Sequence, residues 1–239
     1  MQNKENSQPS GSSYLTIGSG RVARHLSFYF EILKIPFQTW NRSQPLEELS
    51  TKLLLKPTVL LAISDQALFP FYQEHLQGFK VVHFSGALHF PDMIACHPLM
   101  TFGPTLYDLS TYQNIHFALT GASSLQEIIP ELSNPSFVMR AEDKALYHAL
   151  CVLSGAGTQT LWSLCQKQLQ SLNVPPEAFL GYIRQIFNNY QSLGAQGQTG
   201  PWGRKDLLTI QNNLMALEER NPLLMRVYQL LQEGHHDNH

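Results

Sequence analysis

A glycine pair set directly behind a short apolar run constrains this chain more than any other feature. Tyr14–Ile17 reads as a buried strand that runs straight into Gly18, Ser19 and Gly20, after which Arg21, Val22, Ala23 and Leu26 begin a helix. In such a strand–turn–helix the first glycine permits the tight turn and the second lets backbone approach a pyrophosphate. A small third residue, here Ala23, lets the helix pack on the strand. The helix N-terminus then offers unpaired N–H groups and the positive end of its dipole to an anion. The spacing therefore predicts a dinucleotide site over Gly18, Ser19, Gly20, Arg21 and Val22, against the competing reading of a purely structural glycine turn.

The end of the second strand bears on which dinucleotide. NAD-binding chains usually carry Asp or Glu there for the ribose 2′-hydroxyl. Here Phe37–Trp40 is followed by Asn41, Arg42 and Ser43, with no acid. Arg42 and Ser43 can receive a 2′-phosphate by charge-assisted hydrogen bonds, which favours NADP over NAD. NAD stays open as the alternative, as does a solvated arginine in a turn.

Beyond the turn, short apolar runs alternate with helix-like segments, the pattern of a parallel sheet covered by helices. Strands are expected over Tyr14–Ile17, Phe37–Trp40, Val59–Ile63, Lys80–Phe84, Met93–His97 and Ile115–Leu119. The texture changes after Pro135. Glu142–Leu172 reads as one long helix, apolar on most sides and therefore buried, with small residues over Ser154–Gly157 that let a second helix approach, which suits a core helix of a helical domain or of a dimer. Further helices are expected from Pro175-Pro176 to Leu193, over Asp206–Arg220 with Asp206 as its cap, and from Asn221-Pro222 to Gln232. The expected organisation is a disordered polar tail over residues 1–13, a Rossmann-type α/β domain over 14–138 and an all-α domain over 139–239.

Only 14% of the residues are charged and the formal net charge is −2, so the basic footprint of a nucleic-acid binder is missing. The three cysteines are widely spaced without a CxxC pair, which argues against a disulfide framework or a cysteine metal site. No apolar run approaches membrane-spanning length and the N-terminal residues lack a signal-peptide core, so the expectation is a cytoplasmic protein without a membrane partner.

Candidate chemistry clusters where strands end. Ser64 and Asp65 follow the third strand, at the carboxyl edge where open α/β sheets bind ligands, although Asp65 can also cap the next helix. His83, Ser85 and Gly86 close the fourth strand, and His97 closes the fifth. Histidine is a suitable proton donor near neutral pH, so His83 and His97 are catalytic candidates, with a structural role as the competing reading. Lys144 and His148 stand four apart and share one helix face, from which they can polarise a C=O or C=N. Arg204, in Thr199–Asp206, can bind an anionic substrate group.

The ordered segments GSGRVA, WNRS, AISDQAL, HFSGAL, HPLMTF, KALYHAL and TGPWGRKD, from Tyr14 to about Leu230, resemble a family of Rossmann-like NADP oxidoreductases with a DUF2520 helical C-terminal domain. The resemblance implies an architecture like that of pyrroline-5-carboxylate reductase and the 6-phosphogluconate and hydroxyisobutyrate dehydrogenases, with the helical domain forming a homodimer. It places Lys144 at the catalytic lysine of the hydroxyisobutyrate type, with His148 where those enzymes carry Asn. It departs at Lys205, where the family pattern TGPxxRGD has Gly. The function implied is hydride transfer between NADP and a small, anionic carbonyl or imine compound; a non-catalytic dinucleotide sensor or scaffold acting through the helical domain is the alternative.

Overall fold

The computed structural model describes residues 14–237, so the tail expected over residues 1–13 lies outside the described residues. The chain divides into two compact units, one running through Ala156 and the other starting at Gly157.

In the first unit, strands β1 (Tyr14–Ile17), β2 (Phe37–Trp40), β3 (Thr58–Leu61), β4 (Val81–His83), β5 (Ile94–Pro98), β6 (Phe117–Thr120) and β7 (Ser136–Val138) form one sheet in the order β2-β1-β3-β4-β5-β6-β7. Helices α1 (Arg21–Leu33), α2 (Leu46–Leu53), α3 (Asp65–Phe71), α4 (Leu109–Gln113) and α5 (Leu125–Ile128) connect them. The order reverses at β1, whose neighbours are β2 and β3, the switch point beside which open α/β sheets bind ligands.

Alternate residues of each strand feed two separate cores, as the twofold period of a strand requires. Tyr14, Leu60, Val82, Cys96 and Leu119 point to the α1 face, where Ala23, Leu26, Tyr29 and Phe30 arrive at helical spacing. Leu15, Ile17, Val59, Leu61 and Val81 point to the opposite face, against Leu49, Leu53 and Leu68 of α2 and α3. Phe30 is wholly buried. A side chain of its kind contributes about 1.5–3 kcal/mol from apolar area alone.

The sheet is mostly parallel, as expected, with one antiparallel pair, β5 and β6, in which Cys96 stands opposite Leu119. Their connection needs no crossover helix, because an antiparallel neighbour is reached by a simple return of the chain. The expected long helix is interrupted. It begins with a 3₁₀ turn (Ala141–Asp143) and α6 (Lys144–Val152), passes through a π turn (Leu153–Gly157) and continues as α7 (Thr158–Ser171). In the single chain Leu146, Leu150 and Leu153 are exposed, and Lys144 is the buried residue of α6.

The second unit comprises α7, α8 (Pro176–Leu193), α9 (Pro201–Arg204), α10 (Leu207–Arg220) and α11 (Pro222–Asp237). Asp206 caps α10, its carboxylate accepting from the Thr209 N–H at 3.2 Å. Pro176 opens α8 at a position where a missing N–H costs nothing.

Candidate functional site: a cleft at the glycine turn

The carboxyl ends of β1, β2, β3 and β4 open onto a cleft of about 710 Å³, within the size range of small-molecule sites. Its walls bring together Gly18, Ser19, Gly20, Arg21 and Val22 from the first turn, Asn41 and Arg42 after β2, Ser64 and Asp65 after β3, and Ser85 and Gly86 after β4. His97 of β5 and His148 of α6 complete them.

The turn is built as its sequence demands. Gly18 has φ +135°, a conformation open to glycine, and a Cβ there would stand 2.2 Å from the Ala62 carbonyl oxygen. Its N–H donates to the Trp40 carbonyl at 2.9 Å, tying the turn to β2. Gly20 differs, because a Cβ on it would meet nothing within 4 Å and the space above it is open. Gly20 also begins α1 without a side-chain cap, so the first N–H groups of this helix face the cleft without a capping side chain. An uncapped helix start beside a glycine with free space fits a pyrophosphate.

At the end of the cleft beside β2, Asn41 forms a closed local turn. Its Oδ1 accepts from the Ser43 N–H at 3.0 Å and from the Ser43 hydroxyl at 2.6 Å, and its own N–H donates to Gln44 Oε1 at 2.9 Å. Ser43 is therefore occupied and lies off the cleft wall, while Arg42 is exposed on it. Trp40 is buried, donates to the Pro45 carbonyl at 3.0 Å and contributes to the same wall.

At the other end, Ser85 is a structural hub. Its hydroxyl donates to Asp65 Oδ2 at 2.9 Å and accepts from the Leu88 N–H at 3.0 Å, which binds the turns after β3 and β4 together. Lys144 is 1% exposed and donates from Nζ to the Ser85 carbonyl at 3.1 Å. Burial pulls its pKa down, partly opposed by the Asp65 carboxylate. Lys144 thus stands behind the Ser85–Gly86 turn and not on the cleft wall.

Gly86 lies under two imidazoles. A Cβ there would fall 2.5 Å from His148 Cδ2 and 3.0 Å from His97 Nε2, so only glycine lets both rings close on this backbone. The His97 and His148 rings stand perpendicular with centroids 6.0 Å apart. Burial, reinforced by His148 and Lys144, pulls His97 down to about 4 and leaves it neutral near pH 7. His97 Nδ1 lies 3.0 Å from the Tyr147 hydroxyl. Tyr147 is not among the residues that the sequence singles out.

His83 is fully buried inside the sheet, its Nδ1 accepting from the Ser85 N–H at 3.3 Å while Phe90 meets its ring edge-on. Burial pulls it down to about 4, and it does not reach the cleft. Arg204 belongs to the second unit, exposed at the end of α9 and beside the Asp206 carboxylate. Among the described residues no group of three His, Cys, Asp or Glu side chains is gathered to hold a metal ion, and no helix is long and apolar enough to cross a membrane.

A mostly parallel sheet with a glycine turn at its switch point, followed by a helical unit, defines a Rossmann-like two-part protein. The domain of unknown function DUF2520 matches residues 115–234, half of the chain, and the chain belongs to that family. The same fold occurs in a candidate NADP oxidoreductase from Bacteroides fragilis, 21% identical over 95% of this chain and 99% of that one, with a TM-score of 0.73. It occurs also in a reductive aminase from Aspergillus terreus solved with NADPH and ethyl levulinate, 15% identical over 95% and 94% of the two chains, TM-score 0.65. A 1-pyrroline-5-carboxylate reductase from Streptococcus pyogenes matches at 15% identity over 96% and 98%, TM-score 0.56. No curated protein matches the sequence.

Proposed function

We propose that the protein is an NADP-dependent oxidoreductase acting on a small carbonyl or imine compound. The observation that carries this reading is the uncapped start of α1 above Gly20, opening on a cleft whose far end holds two imidazoles. Solved proteins of this fold, among them the reductive aminase with NADPH, support it.

Ser19, Gly20, Arg21 and Val22 bind the pyrophosphate, and Arg42 binds the 2′-phosphate. When bound, the reduced nicotinamide supplies the hydride. The chain's own part is to orient the substrate, exclude water and supply a hydrogen-bond donor at the acceptor atom, a role assigned to His97 and His148 on the cleft wall. Lys144 acts as a positioning residue that fixes the Ser85–Gly86 turn beneath them. The exposed apolar residues of α8, including Ile186 and Phe187, form the contact between two copies of the chain.

The test is a titration with NADPH and, separately, NADH, followed by tryptophan fluorescence, because Trp40 borders the cleft. NADPH is expected to bind more tightly. Arg42→Ala is expected to weaken NADPH by about 10- to 100-fold and leave NADH unchanged, as loss of a charged hydrogen bond of about 1.5–3 kcal/mol requires. A folded sample that binds neither nucleotide refutes the reading.

A further inference from the structure

His97 has two nitrogens with different surroundings. Nδ1 faces Tyr147, whose hydroxyl lies 3.0 Å away with the two rings perpendicular and centroids 5.5 Å apart. Nε2 is the ring atom that would crowd a side chain at residue 86, and His97 borders the cleft there. Which nitrogen carries the proton decides whether the cleft meets a donor or an acceptor.

Tyr147 has a single hydroxyl proton and two partners for it, His97 Nδ1 and the Cys151 side chain one turn further along the helix. An imidazole nitrogen is a strong acceptor and a thiol sulfur a weak one, so the phenol proton goes to Nδ1. Phe137 meets the Tyr147 ring edge-on at 6.2 Å and helps to hold it in place. Besides Tyr147, the titratable groups acting on His97 are His148 and Lys144, and burial with these two keeps the ring neutral. A neutral imidazole has one N–H, and when Nδ1 accepts, that N–H is Nε2.

We propose that Tyr147 is a positioning residue that fixes the tautomer of His97, so that Nε2–H faces the cleft and the site takes a substrate whose reacting group accepts a hydrogen bond. That group is a ketone or aldehyde oxygen, or an unprotonated imine nitrogen. A protonated iminium is disfavoured, since its own N–H would oppose Nε2–H and leave two donors without acceptors. Neutral imidazole is an established means of polarising a carbonyl. The substrate part rests on the oxidoreductase reading; the tautomer part does not.

The experiment uses the full chain with ¹⁵N-labelled histidine, read in long-range ¹H–¹⁵N spectra at pH 7, with the His97 signals assigned by their loss in His97→Asn. The expected spectrum has Nε2 protonated and Nδ1 unprotonated. Tyr147→Phe moves both signals toward a mixture of tautomers, and Cys151→Ala leaves them in place. A wild-type protein protonated at Nδ1, or a Tyr147→Phe spectrum identical to wild type, overturns the proposal. Should Tyr147→Phe fail to fold, the wild-type spectrum alone decides.

The substrate class is tested by adding isobutyramide, a carbonyl acceptor, or isopropylamine, a cation at this pH, to protein saturated with NADP⁺. A shift of the Nε2–H signal with isobutyramide and none with isopropylamine supports the assignment; an unmoved signal with isobutyramide, or the reverse order, overturns it. Failure of NADP⁺ to bind would show separately in the fluorescence titration, and the tautomer spectra need no ligand.

Discussion

The sheet of the first unit and helix α8 of the second treat apolar side chains in opposite ways. The α/β unit hides them in two cores divided by its sheet, with Phe30, Val59, Leu60, Val82 and Leu119 fully enclosed. In the helical unit, by contrast, Phe179, Ile210 and Leu224 are buried while Leu180, Ile186, Phe187, Tyr190 and Leu193 of α8 are exposed. Isolated exposed apolar residues are ordinary, but a series of them on one helix is the kind of surface through which the proposed contact between two copies would form. Both faces of the sheet are covered by completed cores, whereas α8 keeps a series of apolar side chains outside the buried part of its unit.

Four measurements would break or sharpen this contrast. The largest effect is expected from Phe30→Ala, a cavity in the completed core costing about 3–5 kcal/mol in denaturant unfolding. A loss below 1 kcal/mol would mean that the first unit is packed no better than the second.

Next comes pH. His83 is buried and pulled from the usual 6.5 to about 4, so the unfolded chain binds its proton first as pH falls. Its stabilising contribution is complete above 6.5 and is lost between 6.5 and 4, about 3 kcal/mol at most. Unfolding free energies across this window should decline with acidity, and His83→Gln should flatten the decline.

Third, Phe187→Asp should cost the isolated chain little, yet weaken its self-association by about 2 kcal/mol, roughly 30-fold, in sedimentation or light scattering. An unchanged assembly would remove α8 from the contact. The smallest effect is expected from Asp206→Ala, which deletes the cap of α10 and should lower the stability of the helical unit by about 1 kcal/mol. Unaltered thermal unfolding would show that tertiary packing and not the cap holds that end.

Much of the α/β unit is legible in the sequence because its signals are local. Strands β1 and β2 fall on the expected residues, since an apolar run ending in a glycine turn or at Asn41 has little freedom of register. Strand β7 escapes sequence reading because it is three residues long and half in solvent, with Val138 exposed. The antiparallel turn of β6 is equally hidden, for its apolar pattern is the same in either direction. In the site, the glycine turn and the residues at strand ends are readable from chain order. The pairing of His97 with Tyr147 joins residues 50 positions apart and depends on how α6 is laid against the sheet. The same distance hides the placement of Lys144 behind Ser85, since a lysine in sequence carries no mark of being buried.

The bare backbone at Gly86 also sets a boundary on redesign. Anyone seeking to enlarge or retune the cleft by saturation mutagenesis can vary Ser64, which is exposed on its wall, and expect folded products. Position 86 offers no such latitude, because even a methyl group would overlap the His148 ring and push against His97. Libraries should therefore keep residue 86 constant, and natural variation in ligand preference at this end is expected to come from the residues around it.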